Sequence, residues 1–269
     1  MGSRRLTGVV VVLASLLAAA CGHSDDRSTV ARPTTTGPTA PTPTVTANGP
    51  AVTTGPALAL PASDDWPTYH HDPARRGSVA GGPSPAGVKQ HWLSPALDGT
   101  IYAEPLVVDG LVIAATEGDS VYALHVDSGQ VAWQAQLGQP MRASQLPCGN
   151  IDPSGITGTP VVDVATGTVY ATAFLQPGRH ELVALDLHSG QVKFRRAIDP
   201  PSDDPKVLQE RGALQVANGM VYVPFGGLFG DCGSYHGWIV ASRLDGQGPL
   251  QSFQVPVKRE GGLWAPPGP

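Results

Sequence analysis

Apolar residues in this chain of 269 gather in short runs closed by turn residues, with no helical spacing beyond the first twenty positions. Val121-Tyr122-Ala123-Leu124 leads through Asp127-Ser128-Gly129 into Gln130-Val131-Ala132-Trp133. Leu182-Val183-Ala184-Leu185 leads in the same way through His188-Ser189-Gly190 into Gln191-Val192-Lys193-Phe194. Setting Trp133 against Phe194 gives a period of 61 residues (194 − 133). A looser third copy, Ile239-Val240-Ala241-Ser242-Arg243-Leu244-Asp245-Gly246, reaches its aromatic at Phe253, 59 residues on (253 − 194). Ahead of the first copy, Glu104 to Ala114 holds two apolar runs around Asp109-Gly110, a strong hairpin signal. Thr159 to Thr172 and Ala213 to Val223 supply the matching pair in the later units. Each unit therefore predicts four strands, and a period of this size predicts sheets stacked as a propeller or solenoid.

The recurring Ala-Leu-x-x-x-(Ser/Thr)-Gly-x-x-x-aromatic resembles the docking motif of quinoprotein-type β-propellers, the PQQ-like repeat superfamily. Ala123, Gly129 and Trp133 match it in full, and Ala184, Gly190 and Phe194 match with Phe for Trp. Ala241 and Phe253 are the third set, around an irregular Gly246-Gln247-Gly248. The resemblance implies that each aromatic ring wedges against the neighbouring blade, where small residues leave room. Independently of any family, glycine closes such a turn without a Cβ, and one large ring buries much apolar area at a seam. The fold class expected is all-β, a partial propeller of three to four four-stranded antiparallel blades. Asp64-Asp65-Trp66-Pro67-Thr68-Tyr69 through Arg75-Arg76-Gly77 resembles the opening of such proteins and leads to a partial unit ending at His91-Trp92. It is expected to pack on the first blade. Residues 64–269 hold 206 positions (269 − 64 + 1), about three and a half units, and Gly261 to Pro269 looks like the start of another. The chain is therefore expected to be the N-terminal part of a longer propeller. An open arc would leave exposed sheet edges and an unfilled hub, so the head alone is expected to self-associate or aggregate.

Three segments divide the chain. Residues 1–20 carry a basic start, Arg4-Arg5, and a short apolar stretch from Gly8 to Ala20, which reads as a secretory signal. Ala18-Ala19-Ala20-Cys21-Gly22 resembles a bacterial lipobox, which implies a lipid anchor on Cys21. The alternative is ordinary signal cleavage and a soluble secreted protein. Residues 21–63 are dominated by Thr, Pro, Ala, Gly and Ser; with so little to bury they read as a disordered tether. Residues 64–269 are the repeat head.

Removing Cys21 leaves Cys148 and Cys232, an even remainder that suggests a disulfide in an exported protein, against two free thiols. The formal net charge of −5 shows no basic stripe, so nucleic acid is not an expected partner. Tyr69-His70-His71-Asp72 reads as structural, because adjacent histidines on an extended chain point apart. Asp199-Pro200-Pro201-Ser202-Asp203-Asp204 reads as a solvated loop, and the recurring Asp127, Asp186 and Asp245 as turn caps. Asn150, Asp152, Tyr235 and His236, in the two cysteine loops, are the candidate binding rim. No catalytic residue and no metal ligand is assigned. The expected function is an exported, membrane-anchored binding or scaffold module for a protein or cell-envelope ligand, at the extracytoplasmic face and without a cofactor. The alternative is a fragment of a PQQ-dependent oxidoreductase with bound calcium; a fragment with no activity of its own is the third reading. The repeat motif accounts for blade docking without PQQ.

Overall fold

A computed structural model describes residues 65–79 and 87–269. The signal segment, Cys21 and the Thr/Pro tether lie outside the described residues. Three antiparallel sheets follow one another in chain order. The first holds β1 (Leu106–Val108), β2 (Leu111–Ala115), β3 (Ser120–His125) and β4 (Val131–Gln136). The second holds β5 (Val161–Asp163), β6 (Thr168–Leu175), β7 (Arg179–Asp186) and β8 (Val192–Ala197). The third holds β10 (Gln215–Ala217), β11 (Met220–Gly227), β12 (Trp238–Arg243) and β13 (Gln251–Gln254), and the short β9 (Leu208–Gln209) adds to the far end of β11. Within each sheet the strands pair in sequence order, as blades of a propeller do. The Asp109-Gly110 and Asn218-Gly219 hairpins have positive φ at both central residues, the conformation a two-residue turn needs to match strand twist.

The core lies at the two seams between sheets. Trp133 is buried among Val169, Ala171, Val183 and Leu187 of the second blade. Its ring covers Gly190, where a Cβ would sit 2.5 Å from the indole, and its Nε1 donates to Leu187 O at 2.9 Å. Trp92, from the partial unit, covers Gly129 in the same way and donates to Val126 O at 2.7 Å. At the second seam Phe194 covers Gly246 but has no N–H to give. There the Tyr170 hydroxyl donates to Leu244 O at 2.9 Å, the carbonyl equivalent to Val126 and Leu187. The irregular turn is held by Arg196, whose Nη1 donates to Gly246 O at 2.8 Å and to Ser242 Oγ at 3.2 Å.

Two expectations need correction. Phe253 is not the third docking ring. Ala123 pairs with Trp133 and Ala184 with Phe194, but Ala241 pairs with Gln251 while Phe253 lies opposite Ile239. The first two blades carry a bulge just past the alanine and the third has none, so Phe253 falls two positions beyond the seam register and is 55% exposed. The hub, in turn, is not left unfilled. Residues 65–77 cross the innermost strands of all three sheets instead of packing on the first alone. Trp66 pairs with Val107 of β1, Pro67 O accepts from Val162 N of β5 at 2.8 Å, and Arg75 donates to Leu214 O at 3.2 Å and to the Gln215 side chain of β10.

Candidate functional site

Four antiparallel strands per sheet give the two ends of the blades different contents. The turns that receive the seam rings, such as Asp127–Gly129 and His188–Gly190, join third strands to fourth and lie at one end. The crossings between sheets and the links from second strand to third lie at the other. At that second end, the residue four positions before each innermost strand is Tyr102 before β1, Thr157 before β5 and Arg211 before β10. Trp264 extends the series; the successive spacings are 55, 54 and 53 residues (157 − 102, 211 − 157, 264 − 211). Together with Tyr69, Thr159 and Pro266 these four residues line a cavity of about 290 Å³.

Arg211 is the charged member. Its guanidinium carbon lies 5.6 Å from the ring centroid of Tyr102 and 5.6 Å from that of Trp264, so two aromatic rings flank it. It makes no side-chain hydrogen bond or ion pair with the described residues, and it is exposed. Thr159 Oγ1 accepts from Glu104 N at 3.0 Å, which leaves its own proton free to donate.

Three carboxyl groups are buried nearby. Glu117 Oε2 accepts from Gly155 N at 2.6 Å, and Asp119 Oδ1 from Phe174 N at 3.3 Å. Glu117 Oε1, Asp119 Oδ2 and both oxygens of Glu210 have no hydrogen-bond partner. Glu210 fits only because Gly158 faces it; a Cβ there would lie 2.2 Å from Oε2. Burial pushes the Asp119 carboxyl up to about 8 and raises Glu117, while burial and the neighbouring Glu117 raise Glu210 well above the usual carboxylate range. Burial thus disfavours the charged form of all three, and Arg211 forms no ion pair with any of them, although its charge acts against the rise at Glu117.

The residues expected to form the rim do not come together as one surface. The disulfide joins Cys148, in the crossing from first to second blade, to Cys232, between β11 and β12. Asn150 and Asp152 beside it are exposed, and Asp152 Oδ1 accepts from Ala143 N at 3.1 Å. Tyr235 is a correction: it is 2% exposed, packs in the second seam and donates its hydroxyl to Asp231 Oδ1. His236 is committed as well, with its N–H and Nδ1 on Asp203 and Nε2 within 3.2 Å of Lys258 O. The acidic loop is likewise not free in solvent. Asp203 also accepts from Trp238 Nε1 at 2.8 Å, and Asp199 pairs with His180, which is buried against Phe174 and Phe225.

Residues 86–223, just over half the chain, match the family of outer membrane protein assembly factor BamB. BamB of Yersinia pestis is 34% identical over 110 residues, covering 41% of this chain and 25% of that protein. The quinohemoprotein alcohol dehydrogenase of Comamonas testosteroni superposes with a TM-score of 0.56 at 22% identity, over 73% of this chain and 28% of its own. Quinohemoprotein alcohol dehydrogenase ADHIIG of Pseudomonas putida HK5 does so with a TM-score of 0.50 at 23% identity, over 71% and 26%. At such identities the structural likeness concerns the fold alone. The chain spans about a quarter of the length of each of these proteins.

The cofactor set tied to the dehydrogenase alternative is PQQ with calcium. Calcium takes roughly six to eight converging oxygens, and among the described residues no three His, Cys, Asp or Glu side chains converge to hold a metal ion. The described cysteines bridge separate loops rather than standing adjacent.

Proposed function

Because this chain belongs to the family of outer membrane protein assembly factor BamB, we propose that it is an envelope-associated binding module for a protein partner. The name of the relative, an assembly factor, supports a protein as the partner. The lipid anchor on Cys21 and the tether over residues 21–63 belong to the same proposal: they would hold the repeat head off the extracytoplasmic face of a membrane. A Cys21→Ser chain should then move from the membrane fraction to the soluble fraction, and unchanged membrane retention would remove the anchor.

The observation that carries the binding reading is the end of the blades where Arg211 stands between Tyr102 and Trp264. Arg, Tyr and Trp concentrate binding energy at protein interfaces, and here Tyr102 is 50% and Trp264 38% exposed. Loops on a rigid β scaffold are where such contacts are ordinarily built.

The experiment is site-specific photo-crosslinking in cells. A benzophenone amino acid at position 102 should yield discrete adducts with one or a few envelope proteins. The same probe at Asp109, in an exposed turn at the opposite end, should not. Equal adducts from both positions, or none from position 102, would overturn the reading.

A further inference from the structure

We propose that the cavity beneath Tyr102 and Trp264 is a receptor site for a single carboxylate on an extended peptide segment of the partner, with Arg211 as its counter-charge. This rests on the binding reading above and specifies its chemistry.

The cavity lining supplies donors at the mouth. Arg211 contributes a planar fork of N–H groups that matches the two oxygens of a carboxylate. Two aromatic rings lie within 5.6 Å of its guanidinium carbon, and its N–H groups bond to none of the described residues. Thr159 retains a hydroxyl proton, since its oxygen already accepts from Glu104 N. The Tyr69 and Tyr102 hydroxyls make no hydrogen bond with other described residues. An unpaired guanidinium among free donors lacks one thing, an acceptor carrying negative charge.

Charge decides which anion. Arg211 is the one cationic side chain in the lining, and the buried Glu117, Asp119 and Glu210 lie close by. A dianion such as phosphate would meet a single positive charge and keep an unbalanced one, whereas a monoanionic carboxylate is balanced by one guanidinium. Size decides the carrier. A volume of about 290 Å³ takes a side chain with a little of its backbone. The exposed Tyr102 and Trp264 of the lining would then cover the flanking residues.

The test uses the full chain with three short peptides, followed by saturation-transfer NMR. Acetyl-Ala-Glu-Ala-amide presents a side-chain carboxylate, acetyl-Ala-Ala-Ala a terminal one, and acetyl-Ala-Gln-Ala-amide neither. At least one of the first two should bind saturably, which also identifies the source of the carboxylate, and the third should not. Arg211→Gln should weaken binding by about tenfold or more, as expected for loss of a charged hydrogen bond, while its melting temperature stays unchanged. Arg211→Lys should restore part of the affinity. Equal binding of the Gln peptide, full binding by Arg211→Gln, or displacement by equimolar inorganic phosphate would overturn the proposal. Partner crosslinking from position 102 separates the two readings. Crosslinks that persist in Arg211→Gln reject the carboxylate and keep the docking surface, whereas their absence in the wild-type chain rejects the docking surface itself.

Discussion

At Gly190 the backbone has φ of +68° and the Trp133 ring occupies the place a Cβ would take. Gly110 shares the left-handed conformation, at +73°, but faces open space. Alanine at 110 therefore carries backbone strain alone, about 1–2 kcal/mol. Alanine at 190 adds overpacking at a closed seam, about 1–3 kcal/mol more. Denaturant melts of the two variants should differ by that amount, and equal losses would mean that the ring yields freely. Asp119 offers a second measurement at this scale. Its carboxyl titrates near 8 in the fold against 3.8 in an unfolded chain, because burial disfavours the charge. The fold holds the acid protonated, so no cost arises below about pH 4; a destabilising term grows as pH rises and levels off above about 8. Asn tolerates the positive φ of 58° and can still accept from Phe174 N. Asp119→Asn should therefore match the wild type near pH 4 and melt higher than it at pH 8. Parallel curves across that range would refute the assignment.

Elements meet through a ring and a donor, and the two need not come from one residue. At the second seam Phe194 supplies the ring and Tyr170 the donor. Tyr170→Phe should cost about 1 kcal/mol, the usual net value of one hydrogen bond, and Phe194→Trp in that background should recover part of it by returning an indole N–H. No recovery would show that the carbonyl of Leu244 is reached by tyrosine geometry alone. Sequence pattern was a good guide to these elements, because alternating apolar runs and glycine turns repeat at every blade. It failed at Phe253 for a local reason. The absence of a bulge after Ala241 shifts the facing residue to Gln251, and spacing measured from one aromatic to the next cannot register a bulge. The Asp199–Asp204 loop misled in another way. Its carboxylates look like solvent groups until folding brings His180, His236 and Trp238 to them.

Across the whole molecule, one covalent link ties the first crossing to the third blade. The Cys148–Cys232 bridge spans 84 residues, for which chain entropy alone gives about 4–5 kcal/mol. Replacing both cysteines with serine should lower stability by up to that amount in denaturant melts; no loss would indicate that residues 65–77 already hold the three sheets together. Long-range features of this kind differ in how far sequence reveals them. An even pair of cysteines after Cys21 was enough to suggest the disulfide. The cavity gave no such sign, because Tyr102, Thr157, Arg211 and Trp264 share a position and no chemistry, so a search for repeated residues passes over them. Only the strand starts, counted backwards by four, would have aligned the first three, with Trp264 one period further on. The buried Glu210 was equally silent, since in sequence it is one charged residue beside another.

The two ends of the blades obey different constraints. Every ring-receiving turn is at one end, where a single added methyl meets an indole, and the positions lining the cavity are at the other, where tyrosine, threonine, arginine and tryptophan are all accommodated by the same backbone. Selection can therefore rewrite what the module recognises without touching what keeps it assembled, and two members of such a lineage could share every wedge and have no ligand in common.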